Sequence, residues 1–370
     1  MKGNINIDKI GKLGFGYMRL PRINGEFDYP QINKMADAFL ESGGTYFDAA
    51  YVYDGAEVAF RESVVKRHPR DSFTIATKLP LGFVKPDYSL EDIFNTSLER
   101  LGVDYIDFYL LHGINSGGNK TAEELGAWKF VSDMKEQGKI RHIGFSFHGY
   151  CEELDEILTK HPETEFVMLQ MNYFDWDRKE VNARRLHEIG CKHNVPMISM
   201  EPLFGGKLTS ADSPIAGLMK KANKDVSLAS WALRFVAQLE GVFVTLSGMS
   251  TYEQTLDNIE TFKDLKPLNA DEMSVIDEAV KILRESPRIE CTSCNYCKDC
   301  PAKIRIAILI GLYNDHLVHK TTTNLAGSYS WMTGGHGKAK DCTACGACEN
   351  ACPQDLPIIE TMAKLSKMFD

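Results

Sequence analysis

Eight short runs rich in β-branched and aromatic residues punctuate the first 285 positions, each alternating with a longer amphipathic stretch. They fall at residues 13–16, 46–50, 73–78, 106–112, 140–145, 166–171, 197–200 and 242–247. Between them, residues 55–67, 90–101, 125–137, 178–193 and 227–239 carry helical patterning; in the second of these, Ile93, Leu98 and Leu101 fall near one face. Gly102 and Gly138 follow expected helices, where a residue lacking Cβ closes the last turn. Strand and helix in strict alternation give parallel strands joined by crossover helices. Two outcomes compete, an open doubly wound sheet and a closed cylinder. No G-x-G-x-x-G follows an early strand, and eight units in this length favour a closed α/β (β/α)8 TIM barrel.

In such barrels the chemistry gathers where strands end at their C-terminal side. The second to sixth runs end at or near Asp48, Lys78, His112, Ser146 and Gln170. A strand end made only for packing would read Val or Leu. Asp48, Tyr53, Lys78 and His112 together make a tuned general acid. A phenol loses its proton near pH ~10 and is a poor acid at neutrality. A neighbouring ammonium, held by Asp48, is expected to lower the Tyr53 pKa, while His112 orients a carbonyl oxygen.

The motifs GFGYMRLP at 14–21, YFDAAYVYDGAE at 46–57, ATK at 76–78 and LLH at 110–112 resemble the aldo/keto reductase family. The resemblance spans about residues 10–265 and includes all four positions just named. It implies a (β/α)8 barrel, an NAD(P)H cofactor, and hydride transfer to an aldehyde or ketone with Tyr53 as proton donor. It further implies that Ser146 and Gln170 hydrogen-bond the nicotinamide carboxamide, and that the loop from Glu201 through Gly205 and Gly206 meets the pyrophosphate. Gly248, Gln254 and Asn258 fall where the family places its adenosine-side segment.

Three departures bear on the cofactor. Phe147 and then His148 follow Ser146, where many members have Asn. Met200 stands where many place an aromatic residue. Gly248 and Gln254 occupy the region in which NADP-preferring members put Lys and Arg, so NAD and NADP both remain open.

Residues 286–370 read differently. They hold nine Lys+Arg against eight Asp+Glu, so the first 285 residues carry 33 against 43, or −10, and the tail is nearly neutral. Eight of the ten cysteines lie here, in Cys291-x2-Cys294-x2-Cys297-x2-Cys300-Pro301 and Cys342-x2-Cys345-x2-Cys348-x3-Cys352-Pro353. Thiolates at i, i+3 and i+6 converge on one side of a looped turn and suit three corners of an iron–sulfur cube. Zinc would use two CxxC pairs and leave the third Cys of each run surplus. The second run matches the bacterial ferredoxin spacing; the first is one residue shorter before its last Cys. In two-cluster ferredoxins the fourth Cys of each run serves the other cluster. By that pattern Cys291, Cys294, Cys297 and Cys352 form one set, and Cys342, Cys345, Cys348 and Cys300 the other. The tail resembles the ferredoxin-like extension on a branch of bacterial aldo/keto reductases, implying an oxygen-poor cytoplasm and [4Fe–4S] clusters, two by the doubled motif. A helical segment is expected over 302–316, a long loop over 321–337 and a final helix near 356–368.

The expected architecture is therefore a barrel over 1–285 and a small, mainly helical ferredoxin-like domain over 286–370. No apolar run approaches the ~20 residues of a membrane span, and the opening residues lack a secretion signal's apolar core. With net charge −9 and no basic block, nucleic acid is not an expected partner. CxxC clusters in a long chain fit metal ligation in a reducing cytoplasm. The expected partners are a small carbonyl substrate and a ferredoxin or flavoprotein that exchanges electrons with the clusters. The alternative is a non-catalytic redox-sensing or partner-docking subunit on the same barrel. Cys151 and Cys191 read as ordinary helix residues.

Overall fold

A computed structural model of the chain describes residue 5 and residues 10–179, 181–291, 296–321 and 325–370. The chain packs as two compact units: residues up to Pro202 with Ala229–Leu268, and Leu203–Leu228 with Asn269–Asp370. The change in composition at 286 and this division by packing are different boundaries.

The first unit is a closed barrel of eight parallel strands. They are β1 (Leu13–Gly16), β2 (Tyr46–Asp48), β3 (Thr74–Leu79), β4 (Ile106–Ile114), β5 (Ile140–Phe147), β6 (Phe166–Gln170), β7 (Met197–Met200) and β8 (Val242–Ser247). Successive strands pair in order, and β1 closes the ring by pairing with both β2 and β8. Among the described residues, a two-stranded hairpin, Arg22–Ile23 with Glu26–Phe27, precedes the first helix, Tyr29–Glu41.

Side chains on a strand alternate between faces, and the barrel interior follows from that parity. Tyr46, Ala76, Phe108, Leu110, Phe166, Met168, Ile198 and Val244 form one buried cluster. Two residues further along the same faces come Asp48 after Tyr46, Lys78 after Ala76 and His112 after Leu110. Gln170 follows Met168 and Met200 follows Ile198 in the same way. Each strand is thus apolar below and, in most cases, polar at its C-terminal end. Gly144 is required on the way: a Cβ there would stand 2.5 Å from the Phe166 carbonyl oxygen.

Helix ends follow local chemistry. Ser89 and Asp92 form a reciprocal capping box on Leu90–Leu101, and Gly102 closes that helix at φ 69°. The buried residues of this helix are Ile93, Phe94, Ser97 and Leu101, so Leu98 sits at the margin of the buried stripe. The stretch expected as one helix over 55–67 is an α-helix, Ala56–Phe60, continued by a π-helical turn, Arg61–Val65. Cys151 and Cys191 lie in the helices Cys151–Lys160 and Ala183–Lys192, the latter starting five residues after the expected position 178.

The second unit is built around the helix Ile306–His319, whose Leu309, Ile310 and Tyr313 pack with Leu325, Tyr329, Ile358, Met362 and Leu365. One expectation is corrected here. Residues 325–333, placed in a long loop because of their Gly and Ser content, form the helix Leu325–Thr333. Leu325, Tyr329 and Thr333 recur every fourth residue and are buried. Tyr329 Oη donates to Asp370 Oδ2 at 2.6 Å and accepts from Ala339 N–H at 2.7 Å. The final helix spans Ile358–Phe369. Among the described residues, no helix is long and apolar enough to cross a membrane.

Candidate active site and thiol-lined cavity

Asp48 and Lys78 end neighbouring strands and meet inside the ring. Lys78 Nζ donates to Asp48 Oδ1 at 2.5 Å and to the Ala49 carbonyl at 2.7 Å. Both side chains are 2% exposed. Tyr53 reaches the same spot from the turn after β2, where its N–H donates to Ala50 O at 3.0 Å. The ammonium lies 5.0 Å from the Tyr53 ring centre. The His112 ring stands edge-on to Tyr53 with centroids 6.2 Å apart.

His112 is aimed by a defect in the sheet. The β4–β5 ladder runs in register to Leu111, then shifts before Ile114 pairs with Phe147. Gly113 takes φ 70° at the shift, a left-handed conformation that glycine adopts without strain. Its N–H donates to Ser146 Oγ at 2.9 Å. A glycine bulge and a neighbouring strand's hydroxyl therefore set the imidazole.

The electrostatics correct one expectation. Burial raises the Tyr53 pKa above the ordinary tyrosine value of 10.0, and Lys78 only partly opposes it. The ammonium pulls in the expected direction, but loss of hydration weighs more, with small upward contributions from Asp48 and Glu201. Burial also acts against the Lys78 charge, but the Asp48 carboxylate outweighs it and holds the ammonium protonated. Burial, reinforced by Lys78 and His148, lowers His112 to about 3, so its imidazole is neutral.

Ser146 is buried, and its Oγ accepts from Gly113, leaving the hydroxyl proton to donate. Gln170 is half-buried, with Nε2 donating to Asp175 Oδ2 at 2.7 Å, which leaves Oε1 as an acceptor. Asn172 braces the same carboxylate at 2.9 Å. Gly248 is exposed after β8; Gln254 Oε1 accepts from Ser250 N–H at 2.8 Å and shapes that turn. Asn258 is buried and donates to Ser247 Oγ at 2.8 Å, pinning its helix to β8. In the second unit, Gly205 and Gly206 adopt φ 65° and 88° within the turn Phe204–Thr209.

Three residues noted in the sequence for other reasons have effects here that it did not suggest. His148 and Glu201 act electrostatically on His112 and Tyr53 respectively. Both immediately follow strand ends, so the strand-end rule extended by one residue points to them. Arg19 is the third: its side-chain carbons lie 3.8–4.0 Å from where a Gly248 Cβ would stand, and its carbonyl accepts from Ser250 Oγ at 2.7 Å. The stem of an arginine thus runs beside Gly248, supplied by the segment after β1 rather than by β8.

In the second unit, Cys297, Cys300, Cys342, Cys345 and Cys348 line one cavity of about 230 Å3, walled on its apolar side by Ile304, Ile306, Ile359 and Met362. Cys300, Cys342, Cys345 and Cys348, expected as one set, share that cavity with Cys297, which the spacing assigned to the other set, so the cavity does not separate the two sets. Cys291 and Cys352 are half-buried and pack on the adjoining core; Cys294 lies outside the described residues. Among the described residues, no three His, Cys, Asp or Glu gather at the spacing of one bound metal ion. Thiols of this number are the ligand type of an iron–sulfur cluster.

A closed (β/α)8 barrel with an Asp–Lys–Tyr–His constellation at its strand ends, followed by a thiol-rich helical unit, defines a class of oxidoreductase. The family model "Aldo/keto reductase family" matches residues 12–281, and "4Fe-4S dicluster domain" matches residues 290–357. The chain belongs to the aldo/keto reductase family and carries a C-terminal 4Fe–4S dicluster domain. An aldo-keto reductase from Mycolicibacterium vanbaalenii is 31% identical over 258 residues, covering 68% of this chain and 85% of that one. An aldo-keto reductase from Klebsiella pneumoniae, solved in complex with NADPH, matches with a TM-score of 0.58 at 19% identity over 75% of this chain and 95% of that one. The holo form of an aldo-keto reductase from Bacillus halodurans matches at 0.58 and 25% identity, covering 72% and 91%.

Proposed function

We propose that the barrel reduces an aldehyde or ketone with NAD(P)H, or runs the reverse oxidation, with Tyr53 giving the proton to the carbonyl oxygen. The observation that carries this reading is the single cluster of Asp48, Lys78, Tyr53 and His112. When bound, the dinucleotide supplies the hydride. Tyr53, kept protonated by burial, is an acid that holds its proton until the carbonyl oxygen gains charge. Lys78 stabilises the phenolate left behind, and Asp48 keeps the ammonium in place. Neutral His112 donates to the carbonyl without competing as an acid. Ser146 as donor and Gln170 as acceptor complement a carboxamide. Gly205 and Gly206 offer backbone N–H groups to pyrophosphate. Nicotinamide consumption with a panel of aldehydes and ketones, measured anaerobically, tests this. Tyr53→Phe should lose on the order of 10²-fold or more in kcat, and unchanged turnover would overturn the reading.

The tail is proposed to hold two [4Fe–4S] clusters, one on Cys342, Cys345, Cys348 and Cys300, the other on Cys291, Cys294, Cys297 and Cys352. Such clusters supply one-electron transfer, whereas hydride carries two electrons. The matching partner is a flavoprotein, whose flavin takes two electrons together and passes them on singly, or a ferredoxin that exchanges single electrons with the clusters. An anaerobic iron and sulfide count near ~8 of each per chain is expected for two cubes; about four would leave one. Visible bleaching of the clusters by reduced nicotinamide or by an alcohol substrate tests the electron role, and no response would make them structural.

A further inference from the structure

The turn Phe204–Thr209 follows β7 in sequence but packs in the same unit as the cysteines. Phe204, Gly205 and Gly206 are consecutive left-handed residues, at φ 49°, 65° and 88°. Two of the three are glycines, so the turn has little side-chain bulk to hold its own shape. Its own hydrogen bonds, Gly206 N–H to the Leu203 carbonyl at 2.9 Å and Thr209 Oγ1 to the Gly206 carbonyl at 2.8 Å, are joined by contacts to the helix Ile306–His319. Lys207 Nζ donates to Asp315 Oδ2 at 2.7 Å, with the two side chains 18% and 29% exposed. The same ammonium sits 4.0 Å from the centre of the Phe204 ring. That ring meets the buried His319 ring edge-on at 5.4 Å. Ser210 Oγ donates to the Lys320 carbonyl at 3.4 Å, just past the helix end.

The other end of this helix belongs to the cavity. Ile304 and Ile306 form part of its wall beside Cys300. The helix has 14 residues, a rod about 21 Å long at 1.5 Å per residue. A hydrogen-bonded rod of this kind does not let one end shift while the other stays. We propose that the helix Ile306–His319 couples occupancy of the thiol-lined cavity to the shape of the turn 204–209, with Asp315 as the positioning residue acting through Lys207. Dinucleotide binding is then tighter in protein carrying its clusters. This rests on the reading of Gly205 and Gly206 as the pyrophosphate loop.

Dissociation constants for NADPH and NADH, from fluorescence quenching of anaerobically purified holoprotein, test the proposal. Asp315→Asn should weaken binding by at least about fivefold with iron content unchanged, and Asp315→Glu should recover part of the loss. If Asp315 acts through Lys207, adding Asp315→Asn to Lys207→Met weakens binding no further. Coupling is reciprocal, so saturating NADPH should slow loss of iron from the wild-type protein to a chelator. Wild-type protein that binds nucleotide, matched by Asp315→Asn and losing iron at the same rate with or without NADPH, overturns the coupling alone. Wild-type protein that binds neither nucleotide overturns the reductase reading as well.

Discussion

Lys78 donates to Asp48 at 2.5 Å across two neighbouring strands, with both side chains about as buried as the aliphatic core around them. Neither charge tolerates that environment alone. Lys78→Met should therefore cost about 3–5 kcal/mol by leaving a buried carboxylate uncompensated. The double variant Lys78→Met/Asp48→Asn should be markedly more stable than the sum of the single losses. Denaturant unfolding of the four proteins measures the difference, and strict additivity would show that the pair does not interact.

The pH dependence has a defined sign. His112 titrates at about 3 in the folded chain against 6.5 ordinarily. Between those values the unfolded chain binds the extra proton, so this stability contribution is present above about 6.5 and is lost as pH falls toward 3. Melting temperatures between neutral and acid pH should fall less steeply for His112→Gln than for the wild type. In the reduction direction, kcat/KM should show no alkaline limb below the ordinary tyrosine range near ~10, since burial holds the Tyr53 proton more firmly still.

Gly113 sets the imidazole through a left-handed bulge at φ 70°. Its Cβ position is open space, so the cost of Gly113→Ala is conformational rather than steric. About 1–2 kcal/mol of stability should be lost, together with catalytic efficiency at a fixed level of bound cofactor. Equal kcat/KM in folded Gly113→Ala would show that the bulge does not aim His112.

Arg19 beside Gly248 predicts a difference between cofactors. Arg19→Met should weaken NADPH binding by about tenfold, in keeping with the loss of a charge-assisted contact, and NADH binding much less. Equal losses for both cofactors would place Arg19 away from the 2′-phosphate.

Each thiol of the cavity should matter to iron content. Cys345→Ser should remove about half of the iron if the chain holds two cubes and nearly all if it holds one. Iron analysis of the anaerobic protein decides between these outcomes.

The barrel was legible because parity and alternation are properties of single residues. The runs at 13–16, 197–200 and 242–247 coincide with β1, β7 and β8, and the polar strand ends turn inward as the pleat requires. The balance of forces on Tyr53 was not legible, because hydration lost on burial depends on everything packed around the phenol. The helix Leu325–Thr333 was hidden by its composition, since Gly, Ser and Thr argue for a loop until Leu325, Tyr329 and Thr333 find a core to enter. The place of Arg19 was missed for a related reason: its nearness to Gly248 joins the two ends of the barrel sequence, which meet only when β8 pairs with β1.

The inward parity of Lys78 bears on how such an enzyme can diverge. Deleting a single residue within β3 would bring Thr77 or Leu79 to the place of the ammonium and turn the remaining side chains inside out. Length changes are tolerable only in the connecting loops, which shape the substrate's surroundings. If the barrel works as proposed, descendants of this chain can trade one substrate for another by gaining or losing loop residues, while the buried Asp48–Lys78 pair is inherited whole or lost at a stroke.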